Sequence, residues 1–424
     1  KRENLLNLAL SATDEERERS ENLDVGYDPE ERTWELIVRH SGSLAGLAGA
    51  GIQVDELLNG YAVLVVPEHL MDQVSELNQI EYIEKPKRLF FASNMARAAS
   101  CLSVVQSPSG TGNVTGGVIS GLSGGLTGRG VLVAVIDSGI DYLNQDFRNE
   151  DGSTRILMLM DQDRGRIYTR EEINEALDAP DRAGALERVP SVDLSGHGTA
   201  VAAIAAGNGR GSQGVYRGVA YESDLLVVKL GAPLADNFPR TTQLMKGLDF
   251  VIRQAQELGR PVAVNLSFGN TYGSHDGTSL LETFMNDISN YGRSVLVAGT
   301  GNEGTGNGHT AGRLVMGSDT DVELSIAPFE TGMGVQLWKS YVDAFAIRLI
   351  TPSGGTIGPI DSRLGPQTLN YGGTRILIYY GKPSPYSKAQ EVYFDFIPIR
   401  DYLDSGIWTF RLTPERIVTG QYDM

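Results

Sequence analysis

The chain has 424 residues, of which 41% are hydrophobic and 21% charged, a composition typical of a globular protein with room for two or three domains. Its formal net charge of −17 argues against nucleic acid or an anionic membrane as a partner, and no apolar run is long enough to span a bilayer. Cys101 is the only cysteine, so no internal disulfide can form, and its neighbours do not indicate a reactive thiol.

The first part of the chain alternates short apolar runs with turns. Asn59-Gly60 between two of these runs is typical of a tight hairpin turn. Helical periodicity places Leu70, Val74 and Leu77 on one face of a helix. The predicted strands are Thr33–Val38, Ile52–Leu58, Tyr61–Val66 and Ile80–Glu84. These elements predict a small α+β unit of ferredoxin-like order, preceded by a charge-dense helix or loose arm.

Residues 93–128 are small and polar, as expected of a surface linker, and the chain then becomes α/β. The runs that follow are almost continuously apolar, which is typical of parallel strands buried on both faces. They are Val131–Asp137, Asp224–Gly231, Pro261–Gly269 and Ser294–Gly301. Residues 241–259 between them have helical periodicity and end at Gly259. This alternation predicts a doubly wound parallel sheet whose ligands gather at the carboxyl ends of the strands.

After Arg313 the apolar period changes to two, and turn residues separate the alternating runs. The alternating sets are Val322/Leu324/Ile326, Phe345/Ile347/Leu349, Val392/Phe394/Phe396 and Trp408/Phe410/Leu412. Roughly a hundred residues of this pattern predict an antiparallel β-sandwich.

Three polar residues stand where side chains can do chemistry. Asp137 ends the first parallel strand, although a carboxylate there can also simply cap the next turn. His197 lies between glycines at the start of an Ala-rich helix, which can position a general base, although most lone histidines are structural. Asn302 follows a buried strand in a Gly-rich loop, where its amide can cap a turn or donate to an oxyanion.

Together, the stretches "VAVIDSGID", "SGHGTAVAAIAAG", "LLVVKLG", "NLSFG" and "AGTGNEG" over residues 131–304 resemble the subtilases, the subtilisin-like serine proteases. The resemblance implies that Asp137 orients and supports His197, that His197 is the general base, and that Asn302 donates to the oxyanion. It also implies that one strand pairs with the substrate and lines the S1 pocket. The residues of that strand are Ser267, Phe268 and Gly269.

A Gly-Thr-Ser tripeptide, which carries the nucleophile in subtilases, ends at Ser279. In the family the nucleophile follows the oxyanion Asn, whereas Ser279 precedes Asn302. Ser279 and Glu282 have the spacing of a helix capping box, so we predict that Ser279 is an N-cap. No Gly-Thr-Ser follows Asn302, and the resemblance therefore implies a nucleophile beyond Met424. A pseudoenzyme without the serine is the alternative.

The N-terminal unit resembles the subtilase propeptide, an intramolecular chaperone and inhibitor whose tail occupies the substrate cleft. Alignment to that tail implies cleavage near Ala92–Ser93. The long propeptide, an insertion after the Asp motif and a jelly-roll-like sandwich resemble the clostridial Csp germination proteases. This resemblance implies activation of a zymogen such as a spore cortex-lytic enzyme, with a spore-associated or extracytoplasmic location. A catalytically inactive germination scaffold, and a hydrolase or binding domain that only shares the fold, are the alternatives.

The predicted domains are the propeptide (1–92), the incomplete catalytic domain (93–312), the sandwich insertion (313–418) and a return to the catalytic domain (419–424). The expected partners are the chain's own propeptide in the cleft and a protein substrate. We expect no cofactor and no metal site. Only Asp146 matches a calcium ligand of the family, and it is better explained as a turn residue.

Overall fold

The computed structural model describes residues 1–20, 22–91, 126–231, 239–301 and 306–424. Ala92, Ser93, Cys101 and Asn302 lie outside the described residues. None of the helices in these ranges is long and apolar enough to cross a membrane. The chain forms two compact units. The first comprises 1–87, 271–283 and 303–424, and the second comprises 88–270 and 284–302.

The second unit is built on a six-stranded sheet. Its strands lie in the order Ser294–Ala298, Val262–Leu266, Leu132–Asp137, Asp224–Lys229, Ile156–Asp161 and Arg166–Thr169. All neighbouring strands are parallel except the last pair. The four predicted parallel strands are therefore confirmed. The strands Ile156–Asp161 and Arg166–Thr169 were not predicted.

The helices of this part of the chain begin at polar caps that the sequence supplies. Thr169 and Glu172 form a capping box, and Asp181 accepts a hydrogen bond from the Gly184 N–H. The predicted helix over residues 241–259 is confirmed. The helices are Arg170–Leu177, Arg182–Arg188, His197–Ala206, Thr241–Glu257 and Leu280–Ile288, with 3₁₀ turns at Gln145–Phe147 and Arg210–Ser212.

The strand Ser294–Ala298 differs from its prediction, because it is not buried on both faces. Val295 is 59% exposed and Val297 is 53% exposed. The strand pairs only with Val262–Leu266 among the described strands and so forms an edge of the sheet. Sequence alone could not reveal which face of an apolar edge strand has a neighbour.

The N-terminal part of the first unit has the predicted ferredoxin-like strand order. Asn59 and Gly60 have φ values of 61° and 73°, as a tight hairpin turn between the two middle strands requires. The sheet order is Ile80–Glu84, Thr33–His40, Tyr61–Pro67 and Gln53–Glu56, and Tyr27–Asp28 also pairs with Thr33–His40. The helices are Asn4–Ser11, Asp14–Arg19, Ala45–Ala48 and Met71–Glu76, with 3₁₀ turns at Leu58–Gly60 and Glu68–Leu70.

The C-terminal part forms two antiparallel sheets that share one hydrophobic core. One sheet has the order Ala311–Arg313, Gln421–Asp423, Met333–Ser340, Ala389–Pro398, Thr374–Tyr380 and Gly365–Tyr371. The other has the order Thr320–Ile326, Gly406–Arg416, Ala344–Ile350 and Thr356–Ile357. All of the predicted alternating sets pack in or against this core, whereas a jelly-roll arrangement of the strands stays a prediction.

The predicted return to the catalytic domain at residues 419–424 is wrong. The strand Gln421–Asp423 pairs with Ala311–Arg313 inside the sandwich, and Tyr422 is buried in its core. The N–H of Met424 also donates to the carbonyl of Thr310 at 2.8 Å. Tyr422 lies in a strand that pairs with a neighbour on each side, so this segment is part of the insertion.

The N-terminal unit and the sandwich share a second hydrophobic core, so they are not separate domains as predicted. Leu377, Tyr393 and Ile397 of the sandwich belong to the same buried cluster as the helix Asn4–Ser11 and the N-terminal sheet. The Arg19 guanidinium donates to the Pro398 carbonyl at 2.8 Å. The strand Ala389–Pro398 is thereby buried on both faces.

A group of buried charges lies where these two parts meet. Lys87 Nζ is 2.6 Å from Glu3 Oε1 and 3.4 Å from Glu84 Oε2. Glu391, from the sandwich, accepts hydrogen bonds from Asn4 and from a second amide on the neighbouring strand. Burial raises the pKa of Glu84 and of Glu391 to about 7 in each case. The cluster holds three carboxylates and one ammonium, so protonation of a carboxylate reduces the excess negative charge.

Glu391→Gln removes one buried carboxylate and should flatten the pH dependence of stability. The pKa values of Glu84 and Glu391 are both raised from 4.5 to about 7, so the folded state binds protons more tightly than the unfolded state. The stability gained from this proton binding is complete below about pH 4.5 and is lost as the pH rises through about 7. Between about pH 5.5 and about pH 8, the calorimetric melting temperature should fall less in the variant than in the wild type. Glu18→Gln, at an exposed position, is the control, and equal losses in all three proteins would contradict the cluster's role.

Candidate active site

Asp137 and His197 form the centre of the site. Nδ1 of His197 lies 2.8 Å from Oδ1 of Asp137. The carboxylate is fully buried, whereas the imidazole side chain is 17% exposed. The predicted hydrogen bond between these residues is therefore present, with one partner held rigidly and the other reachable from outside.

The backbone explains how two distant segments meet here. Asp137 is the last residue of the strand Leu132–Asp137, and His197 is the first residue of its helix. Gly196 has a φ of 73°, a left-handed conformation that suits glycine at the N-cap. A Cβ on Gly198 would lie 2.2 Å from the Gly139 carbonyl oxygen. Glycine is required there because the helix start packs directly against the loop that follows Asp137.

A hydrogen-bond network that sequence reasoning missed surrounds this pair. The Ser138 N–H donates to Asp137 Oδ1 at 2.7 Å, and the Ser138 hydroxyl donates to Asp193 at 2.8 Å. Asp193 also accepts from the hydroxyl of Thr199 at 2.6 Å. The spacing of Asp193 four residues before His197 was the available signal in the sequence.

The environment of Asp137 sets its charge. Burial raises the pKa of Asp137, while hydrogen bonds from His197 and Ser138 lower it. The raised pKa follows because desolvation of the carboxylate is the largest of these effects. The negative charge is nevertheless stabilised whenever His197 is protonated, since the two groups then form an ion pair.

The predicted substrate strand lies beside an extended segment of the chain itself. Phe268–Gly269 pairs antiparallel with Phe90–Phe91. The Leu89 N–H just before this segment donates to the Pro239 carbonyl at 2.9 Å. Ser267, also predicted here, is buried, and its hydroxyl accepts from the Asn265 side chain at 2.8 Å. The backbone of this strand thus pairs with an extended segment of the same chain, and its pairing with a substrate stays a prediction.

Known families match both parts of this architecture. Residues 128–325 match the model of the subtilase family, and residues 1–87 match that of the Csp protease B prodomain. The structure of the Clostridium perfringens CspB protease has 33% sequence identity and a TM-score of 0.66 with this chain. The chain contains a subtilase domain. It has the subtilase α/β fold preceded by a Csp protease B prodomain.

The similarity to CspB covers 70% of this subtilase and 63% of the CspB chain, so this chain spans less than two thirds of that relative. The S41 psychrophilic protease has 24% identity and a TM-score of 0.31, covering 44% of this chain and 50% of that one. The epidermin leader peptide processing serine protease (EpiP) of Staphylococcus aureus has 12% identity and a TM-score of 0.30, covering 55% and 50%. At these scores neither supports a further statement about this subtilase.

Ser279 has the capping role predicted for it. The Glu282 N–H donates to Ser279 Oγ at 3.3 Å, and the Ser279 N–H donates to Glu282 Oε2 at 3.0 Å. These reciprocal bonds are the capping box at the start of the helix Leu280–Ile288. The Gly-Thr-Ser tripeptide therefore stabilises a helix terminus in this subtilase.

Asp146 is a turn residue, as predicted. Its Oδ1 accepts the Gly211 N–H at 2.7 Å, and it lies in the 3₁₀ turn Gln145–Phe147. The buried Arg155 guanidinium donates to the carbonyls of Asp146 and Ala206, at 3.1 and 2.7 Å. The described residues contain no cluster of three or more His, Cys, Asp or Glu that could hold a metal ion. These donors do not fit calcium, and its absence stays a prediction.

Ser279→Ala should destabilise the protein without reducing turnover. Loss of the N-cap oxygen should lower the free energy of unfolding by about 0.5–2 kcal/mol, because the Glu282 N–H loses its side-chain partner. Urea unfolding of the full-length protein measures this change, and peptide hydrolysis measures turnover. Loss of turnover at unchanged stability would contradict the capping role.

Proposed function

We propose that this subtilase is a serine endopeptidase in which His197 is the general base and Asp137 its orienting partner. The observation that carries the proposal is the 2.8 Å contact between His197 Nδ1 and the buried Asp137 carboxylate. Because Nδ1 donates to Asp137, Nε2 is the basic nitrogen and takes the proton of the attacking serine. The imidazolium that forms is stabilised by the carboxylate and then protonates the leaving amine.

The nucleophile of this proposal is a serine beyond Met424. Ser279 is used as a helix cap, so it is a poor candidate. The exposed side chains of Val295 and Val297 also favour a further segment, since parallel strands normally have both faces covered. Such a segment would reach the edge of the sheet that the strand Ser294–Ala298 forms. Asn302 would supply the side-chain donor to the oxyanion.

The prodomain is the proposed first ligand of the cleft. The antiparallel pairing of Phe90–Phe91 with Phe268–Gly269 is how an extended substrate would bind. Autoprocessing would then fall at the bond near Ala92–Ser93. The prodomain would act as intramolecular chaperone and inhibitor, and Ser267 with its neighbours would line the S1 pocket.

The biological role that we propose is limited proteolysis of a zymogen, such as a spore cortex-lytic enzyme, in a spore-associated or extracytoplasmic setting of a clostridial bacterium. The Csp protease B prodomain and the 33% identity with the Clostridium perfringens CspB protease support this role. The two-sheet insertion is then a jelly-roll-like module. A catalytically inactive germination scaffold is the outcome if the nucleophile is missing.

His197→Ala in the full-length protein should abolish propeptide cleavage and peptide hydrolysis while leaving the fold intact. The expected fall in kcat is about 10⁴-fold or more, because the base acts only in the reaction. Gel analysis of the propeptide and circular dichroism are the two measurements. His69→Ala, at an exposed position of the prodomain, is the control.

A fluorophosphonate probe decides between the protease and the inactive scaffold. It should label a serine beyond Met424 in the wild type, and the label should be lost in His197→Ala. Labelling of Ser279 would overturn the assignment of the nucleophile, and a folded wild type without any label would favour the scaffold.

Phe91→Pro should weaken inhibition by the prodomain. Proline removes a backbone N–H and restricts φ, so the two-residue ladder with Phe268–Gly269 should be impaired. Added in trans to the processed enzyme, a prodomain with this change should have a higher Ki than the unchanged prodomain. Equal Ki values would mean that the ladder contributes nothing to inhibition.

A further inference from the structure

The Asp193 carboxylate connects the two loops that carry the candidate pair. One oxygen accepts the Ser138 hydroxyl at 2.8 Å and the Gly196 N–H at 3.0 Å. The other accepts the N–H and the hydroxyl of Thr199 at 2.8 and 2.6 Å. Ser138 follows Asp137 directly, so Asp193 is joined to the loop of the acid and to the helix of the base.

The start of the His197 helix depends on this arrangement. The first N–H groups of a helix have no acceptor within the helix. The His197 N–H donates to the Ser195 hydroxyl at 3.1 Å, and the Gly198 N–H donates to the Ser138 hydroxyl at 2.9 Å. The Thr199 N–H donates to Asp193. Two of these three acceptors are therefore Asp193 itself and the serine that Asp193 holds.

We propose that Asp193 is a positioning residue for the reaction of His197, because it holds the start of the His197 helix at a fixed position relative to the Asp137 loop. The inference rests on the proposed function of His197 as the base. A second link supports the same coupling, since the Asp141 N–H donates to the Thr199 hydroxyl at 2.8 Å. A simple helix cap would bind only its own helix, whereas Asp193 also binds the other loop.

The position requires an ionised carboxylate. Burial raises the pKa of Asp193, but hydrogen bonds from Thr199, Ser138 and Gly196 outweigh burial and lower the pKa overall. The Ser195 hydroxyl also donates to Asp193, at 3.3 Å. All five groups around the carboxylate are donors, so both of its oxygens must accept. An asparagine offers one accepting oxygen and an NH₂ group that faces donors. Asp193→Asn therefore keeps the shape and removes half of the connections.

The experiment compares Asp193→Asn with Asp181→Asn in the full-length protein labelled with ¹⁵N-histidine. Asp181 caps the helix Arg182–Arg188 by accepting the Gly184 N–H at 2.8 Å, and it is a matched cap on a different helix. In Asp193→Asn the downfield Nδ1–H signal of His197, assigned with His197→Ala, should broaden or disappear. The kcat for a peptide should fall about 10- to 100-fold with KM nearly unchanged. Asp181→Asn should change neither quantity.

Two further variants cover a failure of Asp193→Asn to fold. Thr199→Val removes a hydroxyl that binds Asp193, and Thr199→Ser keeps it. The Nδ1–H signal should weaken in the first and persist in the second. An unchanged signal in Asp193→Asn, or in Thr199→Val if the former does not fold, would overturn the proposal. Equal changes in Asp193→Asn and Asp181→Asn would also overturn it, because they would indicate general destabilisation.

The NMR signal separates this proposal from the proposed function. If the wild type hydrolyses no peptide and takes up no fluorophosphonate, the protease assignment fails. The effect of Asp193 on the bond between His197 and Asp137 would still be measured by the Nδ1–H signal. If the wild type is inactive and Asp193→Asn still loses the Nδ1–H signal, the positioning role is supported. The missing activity alone then excludes the protease.

Discussion

The hydrogen bond between a fully buried carboxylate and a partly exposed imidazole constrains the architecture of the second unit. Asp137 can be buried as an anion only because His197 and the Ser138 N–H bind the same oxygen. That requirement explains why the helix of His197 approaches the Asp137 loop so closely that Gly198 admits no side chain. The parallel sheet then supplies the rigid base, since Asp137 ends a strand with neighbours on both sides.

A different balance operates in the first unit. The prodomain and the sandwich bury aromatic and aliphatic side chains in one core, and this core surrounds a cluster with more negative than positive charge. Tight apolar packing holds Glu84 and Glu391 in a place where ionisation is costly. Hydrophobic contact therefore joins the two parts, and ionisation of the two carboxyl groups weakens that contact. Their association should accordingly depend on pH.

The sequence predicted the elements whose signal is local. The apolar parallel strands, the hairpin at Asn59-Gly60 and the capping box of Ser279 follow from neighbouring residues, and the structure contains them. Asp137 and His197 were identified from motifs, whereas the link from Asp193 to the Asp137 loop has no local signal, because Ser138 lies 55 residues away in the sequence. The strand Ala389–Pro398 was read as having one buried face. Tyr393 and Ile397 on its other face pack against the prodomain, and periodicity cannot show such a neighbour.

The ladder between Phe90–Phe91 and Phe268–Gly269 bears on where the proposed protease would cut. Main-chain pairing recognises an extended conformation and is indifferent to most side chains. A helix or an internal strand has its own backbone partners and cannot offer them to this edge. Under the proposed function, an incoming protein would thus be cut in exposed linkers and spared in its folded parts, whatever residues those parts contain. The backbone conformation of the target would therefore limit which segments can bind, independently of the side chains that a pocket can accept.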